Sequence, residues 1–217
     1  MVKKRMSSWF FVLLCIFSLY NHAIAADELK IYIDLWENTL FLIKNDAVIE
    51  QFKISPGSDE SPTPIGTFKI VEKSKDWGGG FGSRWLGLDV PWGKYGIHGT
   101  NKSWLIGERV SSGCVRMFNA DVEKLYDMVP IGTVVHIDGP ITGRGKGEFK
   151  NLSLGSKGTL VIIVQQQLKA GGYYDGPMNG IYDEQTEQAV KKFQKKHKLP
   201  VTGGVRTTEY NLLGILE

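Results

Sequence analysis

Gly96-Ile97-His98-Gly99-Thr100 and Ser111-Ser112-Gly113-Cys114-Val115-Arg116-Met117 are the two stretches on which the reading of this chain turns. The histidine precedes the cysteine by 16 positions. A free thiol has a pKa of about 8.5 and is mostly protonated at neutral pH. An adjacent imidazole can take that proton and generate an attacking sulfur. Loop spacing brings the two within reach of one another without proving contact. Metal sites need three or four ligands. His98 and Cys114 alone are too few, and neither C-x-x-C nor H-E-x-x-H occurs, so no metal or organic cofactor is implied. No G-x-S-x-G elbow marks a serine hydrolase. A papain-like order, with the cysteine far ahead of the histidine, is reversed here.

Working outward, the only other cysteine is Cys15, inside an apolar run from Trp9 to Tyr20. Lys3, Lys4 and Arg5 precede that run, and Ala23 and Ala25 follow it as an A-x-A-like cleavage site. Residues 1–25 therefore read as a secretory signal. A run of 12 residues is shorter than the roughly 20 of a spanning helix, so cleavage is expected, with an uncleaved membrane anchor as the alternative. The expected location is outside the cytoplasm, in the periplasm or cell wall. Cys114 is then the one thiol of the mature chain: a reactive group, half of an intermolecular bridge, or a small buried hydrophobe.

The net charge of +3 belongs to the signal, because the remaining chain holds 23 basic and 23 acidic residues. Nucleic-acid binding needs clustered basic residues on the folded part, and this balance gives it no support. The 42% apolar and 23% charged fractions are those of a folded chain.

Residues 26–140 read as one mainly β domain. Leu29–Leu35, Thr39–Ile43 and Ala47–Ile54 are strands joined by short turns, with further strands at Thr67–Glu72, Trp85–Val90 and Thr133–Ile137. Strands in quick succession argue for antiparallel pairing. Asn119–Val129 is a helix, with Val122, Leu125, Tyr126 and Val129 on one face and Asn119 or Asp121 as its cap. The glycine-rich Trp77–Gly82 lacks a phosphate-loop pattern and reads as a loop beside a site.

Residues 141–150 form a Gly-rich linker, and 151–217 read as a small all-α domain with helices at Thr159–Lys169, Glu184–Lys196 and Thr207–Leu213. The two parts differ in charge, net −4 for 26–140 and net +4 for 141–217. The lysines at 191, 192, 195, 196 and 198 are a solvated helix face or an attraction to an anionic polymer.

Leu29 to Asp138 resembles the L,D-transpeptidase catalytic domain, often called the YkuD domain. The resemblance rests on Ile97-His98-Gly99-Thr100-Asn101, on Ser-x-Gly-Cys-x-Arg-Met at 111–117, and on Pro62-Thr63-Pro64-Ile65-Gly66-Thr67-Phe68. Residues 152–214 resemble the three-helix peptidoglycan-binding domain, through Val164-Gln165-Gln166-Gln167-Leu168, Gly172-Tyr173-Tyr174-Asp175-Gly176, Asn179-Gly180-Ile181-Tyr182 and Ala189 to Gln194.

These resemblances imply a β-sandwich-like catalytic fold and peptidoglycan as the partner. They imply Cys114 as nucleophile, His98 as general base and acid, and the Gly99 carbonyl as the group that orients His98. The Gly113 and Cys114 backbone N–H groups are candidate oxyanion donors, and Arg116 a substrate or loop anchor. Thr100, Ser111 and Ser112 are candidate substrate contacts; Trp77, Trp85 and Trp92, with Phe81, are candidate cleft walls. Many members carry histidine where this chain has Ser112, which puts any supporting role of that histidine in doubt. The implied reaction is a thioester exchange that releases D-alanine and forms 3→3 cross-links between stem peptides. A carboxypeptidase and a non-catalytic wall binder are the alternatives. A monomer is expected.

Overall fold

A computed structural model of the protein describes residues 28–75, 78–141 and 149–216. The signal, Trp77 and most of the linker lie outside the described residues. Eight strands precede the last three helices: β1 Leu29–Asp34, β2 Thr39–Lys44, β3 Ala47–Lys53, β4 Gly66–Lys75, β5 Arg84–Leu88, β6 Tyr95–Gly99, β7 Val115–Met117 and β8 Val134–Asp138. A helix, α1 (Asn119–Met128), lies between β7 and β8. The strand order is β3-β2-β1-β8-β4-β5-β6-β7. The mainly β reading with a small helical part is correct; the antiparallel expectation is only partly so. β1 pairs with β8 in parallel, and so does β6 with β7.

Local chemistry explains the turns. Asn45 and Asp46 both adopt positive φ, as the two-residue β2–β3 hairpin requires. β4 is the pivot of the sheet. Gly66–Lys69 pair with β8, whereas Ile70–Lys75 pair with β5 across an irregularity between Ile70 and Glu72. Such a bulge bends a strand. The far edges then meet: Ser55, just beyond β3, exchanges backbone bonds of 2.8 and 2.9 Å with Arg116 of β7. Inside this closed layer sit Ile31, Ile33, Leu40, Leu42, Ile70, Leu86, Ile97 and Val115, with Val122 and Leu125 of α1 packed on them. Each such aliphatic side chain contributes about 1.5–3 kcal/mol by leaving water.

α1 corrects one expectation. Neither Asn119 nor Asp121 caps it; Phe118 holds the cap position without a side-chain bond. The Asn119 Oδ1 instead accepts from the Ser83 N–H at 3.2 Å, tying the helix to the strand that carries Trp85. At the other end, the Lys73 ammonium donates to the Tyr126 and Val129 carbonyls, satisfying groups that the last turn leaves open.

α2 (Thr159–Ala170), α3 (Glu184–Lys196) and α4 (Thr207–Leu212) surround a second apolar cluster of Val161, Val164, Leu168, Tyr182, Val190, Phe193 and Tyr210. Two fully buried glutamines hold its turns. The Gln165 carbonyl oxygen accepts from Gly180 N–H, and its amide donates to Asn179, Ile181 and Thr186. Gln194 repeats the arrangement on Gly203, Thr202, Gly204 and Glu209. The two units touch where Ile65 N–H donates to Thr159 Oγ1 at 3.1 Å, and where the Trp92 ring lies against Gly180.

Candidate active site

The parallel β6–β7 pair builds the site. His98 lies beside Arg116 in the ladder, and Ile97 beside Val115. Side chains alternate between faces along a strand. Ile97, Val115 and Met117 therefore point into the core, while His98, Cys114 and Arg116 share the opposite face. The antiparallel β5–β6 pairing sets Trp85 beside His98. Together with Gly80, Phe81, Lys94, Ser111 and Ser112, these residues line one cavity of about 330 Å³. The sulfur and the imidazole thus open onto a common space.

His98 is held tightly. It is 2% exposed. Trp85 stacks on it with centroids 5.8 Å apart, and Phe81 meets it edge-on at 5.0 Å. Its Nδ1 lies 2.5 Å from the Gly99 carbonyl. A carbonyl only accepts, so Nδ1 carries the hydrogen and the neutral ring keeps its lone pair on Nε2. Burial lowers the His98 pKa to about 4; backbone bonds with Gly99 and Phe81 oppose this, and the Arg116 charge adds to it. Burial also raises the Cys114 pKa, against a backbone hydrogen bond from Gly96 and the Arg116 charge. Both groups are neutral at pH 7. The resting site therefore holds a neutral thiol and a neutral imidazole on one cavity, not a standing ion pair.

Glycine is required at two places here. Gly113 has φ +105°, and a Cβ there would lie 2.7 Å from the Tyr95 ring. At Gly96 a Cβ would lie 2.7 Å from the Trp85 ring. The cysteine turn is locked from within: Ser111 Oγ accepts from Gly113 N–H at 3.1 Å and donates to the Cys114 carbonyl at 2.5 Å.

That lock occupies one of the two expected oxyanion donors: the Gly113 N–H donates to Ser111 Oγ. Two more expectations move. Thr100 is buried, accepts from Lys102 N–H at 3.1 Å and does not line the cavity. Trp92 lines a different cleft and packs edge-on to Phe68. Ser111, Ser112, Trp85 and Arg116 do line the cavity; Trp77 lies outside the described residues. Lys94 and Gly80 were not foreseen. Lys94 precedes Gly96 and His98 by steps of two, a strand signal hidden by the glycines around it.

Among the described residues, the other two histidines pack elsewhere. His136 stacks on Tyr32 and bonds Thr67, while His197 lies on Phe193 and Tyr173.

The profile of the L,D-transpeptidase catalytic domain matches residues 28–137, half of the chain. The chain belongs to the L,D-transpeptidase family. A second profile, that of a peptidoglycan binding domain, matches residues 157–205. A Bacillus subtilis protein named as the L,D-transpeptidase YkuD is 42% identical over 108 residues, covering 50% of this chain and 65% of its own. YqjB of the same organism, also named as an L,D-transpeptidase, is 36% identical over 46% of this chain and 65% of its own. The matched stretch therefore spans just under two thirds of these relatives. The solved L,D-transpeptidase 3 of Mycobacterium tuberculosis, in complex with a faropenem-derived adduct, superposes with a TM-score of 0.47 and 16% identity. It covers 52% of this chain and 61% of its own.

Proposed function

We propose that this transpeptidase-family chain is exported and rebuilds peptide cross-links in peptidoglycan, with Cys114 as the acylated nucleophile. The observation that carries the reading is the shared cavity onto which neutral His98 opens from β6 and Cys114 from the turn that leads into β7. His98 Nε2 takes the thiol proton as sulfur attacks the carbonyl between the third stem residue and terminal D-alanine. The Cys114 N–H faces the developing oxyanion. The imidazolium then protonates the departing D-alanine, and a thioester remains. An amine of a second stem peptide attacks the thioester and forms the 3→3 bond.

Arg116 takes a substrate carboxylate. Its backbone is bonded to Ser55, yet its buried Nε has no partner. A guanidinium binds carboxylates through paired N–H donors. The helical unit tethers the enzyme to its polymer and raises the local substrate concentration. Export rests on the basic segment, apolar run and Ala23/Ala25 site of residues 1–25.

Mass spectrometry with a purified disaccharide-tetrapeptide tests the reading. A cross-linked dimer and free D-alanine are expected. Tripeptide alone would make the protein a carboxypeptidase, and unchanged substrate would make it a wall binder.

A further inference from the structure

A second cleft of about 390 Å³ runs between the catalytic and helical units. Ser112 and Lys157 both line it, and Ser112 also lines the catalytic cavity. The exposed Ser112 side chain therefore stands at the junction of the two spaces, two residues before the nucleophile.

The walls of this cleft carry opposite charge. Asp59, which also pairs with Arg109 at 3.8 Å, and Glu60 belong to the segment that follows Gly57, and that segment is packed on the cysteine turn. Ser58 N–H donates to the Ser111 carbonyl at 2.9 Å, and the Pro62 carbonyl lies 3.4 Å from where a Gly113 Cβ would stand. Lys150 and Lys157 form the wall contributed by the helical unit. The acidic side is thus the one fixed to the nucleophile loop, and the basic side is the one carried by the second unit.

We propose that this interdomain cleft binds the amine-bearing second stem peptide, the acceptor of the transfer; the inference rests on the transpeptidase reading above. Its ammonium-bearing side chain lies toward Asp59 and Glu60, and its backbone carboxylates toward Lys150 and Lys157. A zwitterionic peptide fits such a divided surface, whereas a neutral glycan gains nothing from it. Released from that acidic wall and having lost one proton to water, the side-chain amine enters the catalytic cavity past Ser112. The amine nitrogen bonds the thioester carbonyl and the C–S bond breaks. The nitrogen gives its proton to His98, which returns it to the departing sulfur. Donor and acceptor then reach the sulfur from different sides, and the helical unit forms half of one subsite besides serving as a tether.

The test uses the full mature chain with two double variants, Asp59→Asn with Glu60→Gln, and Lys150→Glu with Lys157→Glu. All four side chains are exposed. Thioester formation, read as added mass on the intact protein with disaccharide-tetrapeptide, is expected to stay within about twofold of wild type. The ratio of dimer to tripeptide is expected to fall about tenfold in each variant, the scale of losing two partly solvated ion pairs. An unchanged ratio, or a loss confined to thioester formation, overturns the proposal. Calorimetric titration of disaccharide-tripeptide into Cys114→Ala protein separates binding from chemistry. Binding weakened about tenfold by either charge change supports the cleft even if no transfer occurs. Binding indifferent to both charge changes refutes the cleft and leaves the catalytic reading standing.

Discussion

The β unit and the helical unit treat buried polar atoms in opposite ways. In the helical unit, Gln165 and Gln194 are fully buried, and each uses its amide and its carbonyl on the neighbouring turn. In the β unit, Arg84 Nε, Arg116 Nε, Ser74 Oγ and Ser83 Oγ are buried without a partner. An unmade buried bond costs about 1–3 kcal/mol. A frame whose task is to hold shape closes its bonds internally. A site that receives a ligand keeps such a bond open and is less stable for it; of these four residues, Arg116 is the one that lines the catalytic cavity.

The largest effect that separates the two units is catalytic. Cys114→Ala is expected to remove the thioester and at least ~10⁴ of turnover while leaving polymer pull-down intact. Turnover that survives would end the assignment of the nucleophile. His98→Gln is expected to lower acylation by about 10²–10⁴-fold, measured by stopped-flow mass analysis of the acyl-enzyme.

Stability sharpens the contrast next. Gln194→Leu orphans the Gly203 N–H and the groups that its amide serves. It is expected to cost about 3 kcal/mol in chemical denaturation of the helical unit. His98 adds a pH term to the β unit. Its folded pKa of about 4 lies below the unfolded value of 6.5, so the unfolded state binds the extra proton between those limits. Stability is therefore expected to be intact above pH 6.5 and to fall by up to about 3 kcal/mol as pH drops towards 4. His98→Gln should flatten that slope. Acylation should likewise retain its base down to about pH 4; an acid limb near 6.5 would mean an exposed imidazole.

The smallest effect is expected at Arg116→Met. Removing a guanidinium whose Nε is unpartnered should change the melting temperature by no more than a few degrees, yet weaken donor binding. A large loss of stability would assign Arg116 to the frame.

Residue pattern reached much of this fold. β1 to β3 show alternation and turn residues, and α3 shows its 3.6-residue stripe at Ala189, Val190 and Phe193. β6 and β7 escaped because Gly96, Gly99, Ser112 and Gly113 look like loop residues, and because β7 has three residues. The parallel union of β1 with β8 joins positions about a hundred residues apart, beyond the reach of local pattern. Cys114 and His98 stood out by residue type. That Gly113 N–H is taken by Ser111 depends on one side-chain rotamer, which no spacing reveals.

The paired glutamine arrangement makes α3 the common member of both halves of the helical unit. Thr186 near its start completes the turn held by Gln165, and Gln194 near its end holds the next. Neither helix–turn–helix half owns α3 separately, so neither half is a stable fragment. The unit should melt in one cooperative step, and the amide protons of Gly180 and Gly203 should exchange with solvent deuterium only when the whole unit opens.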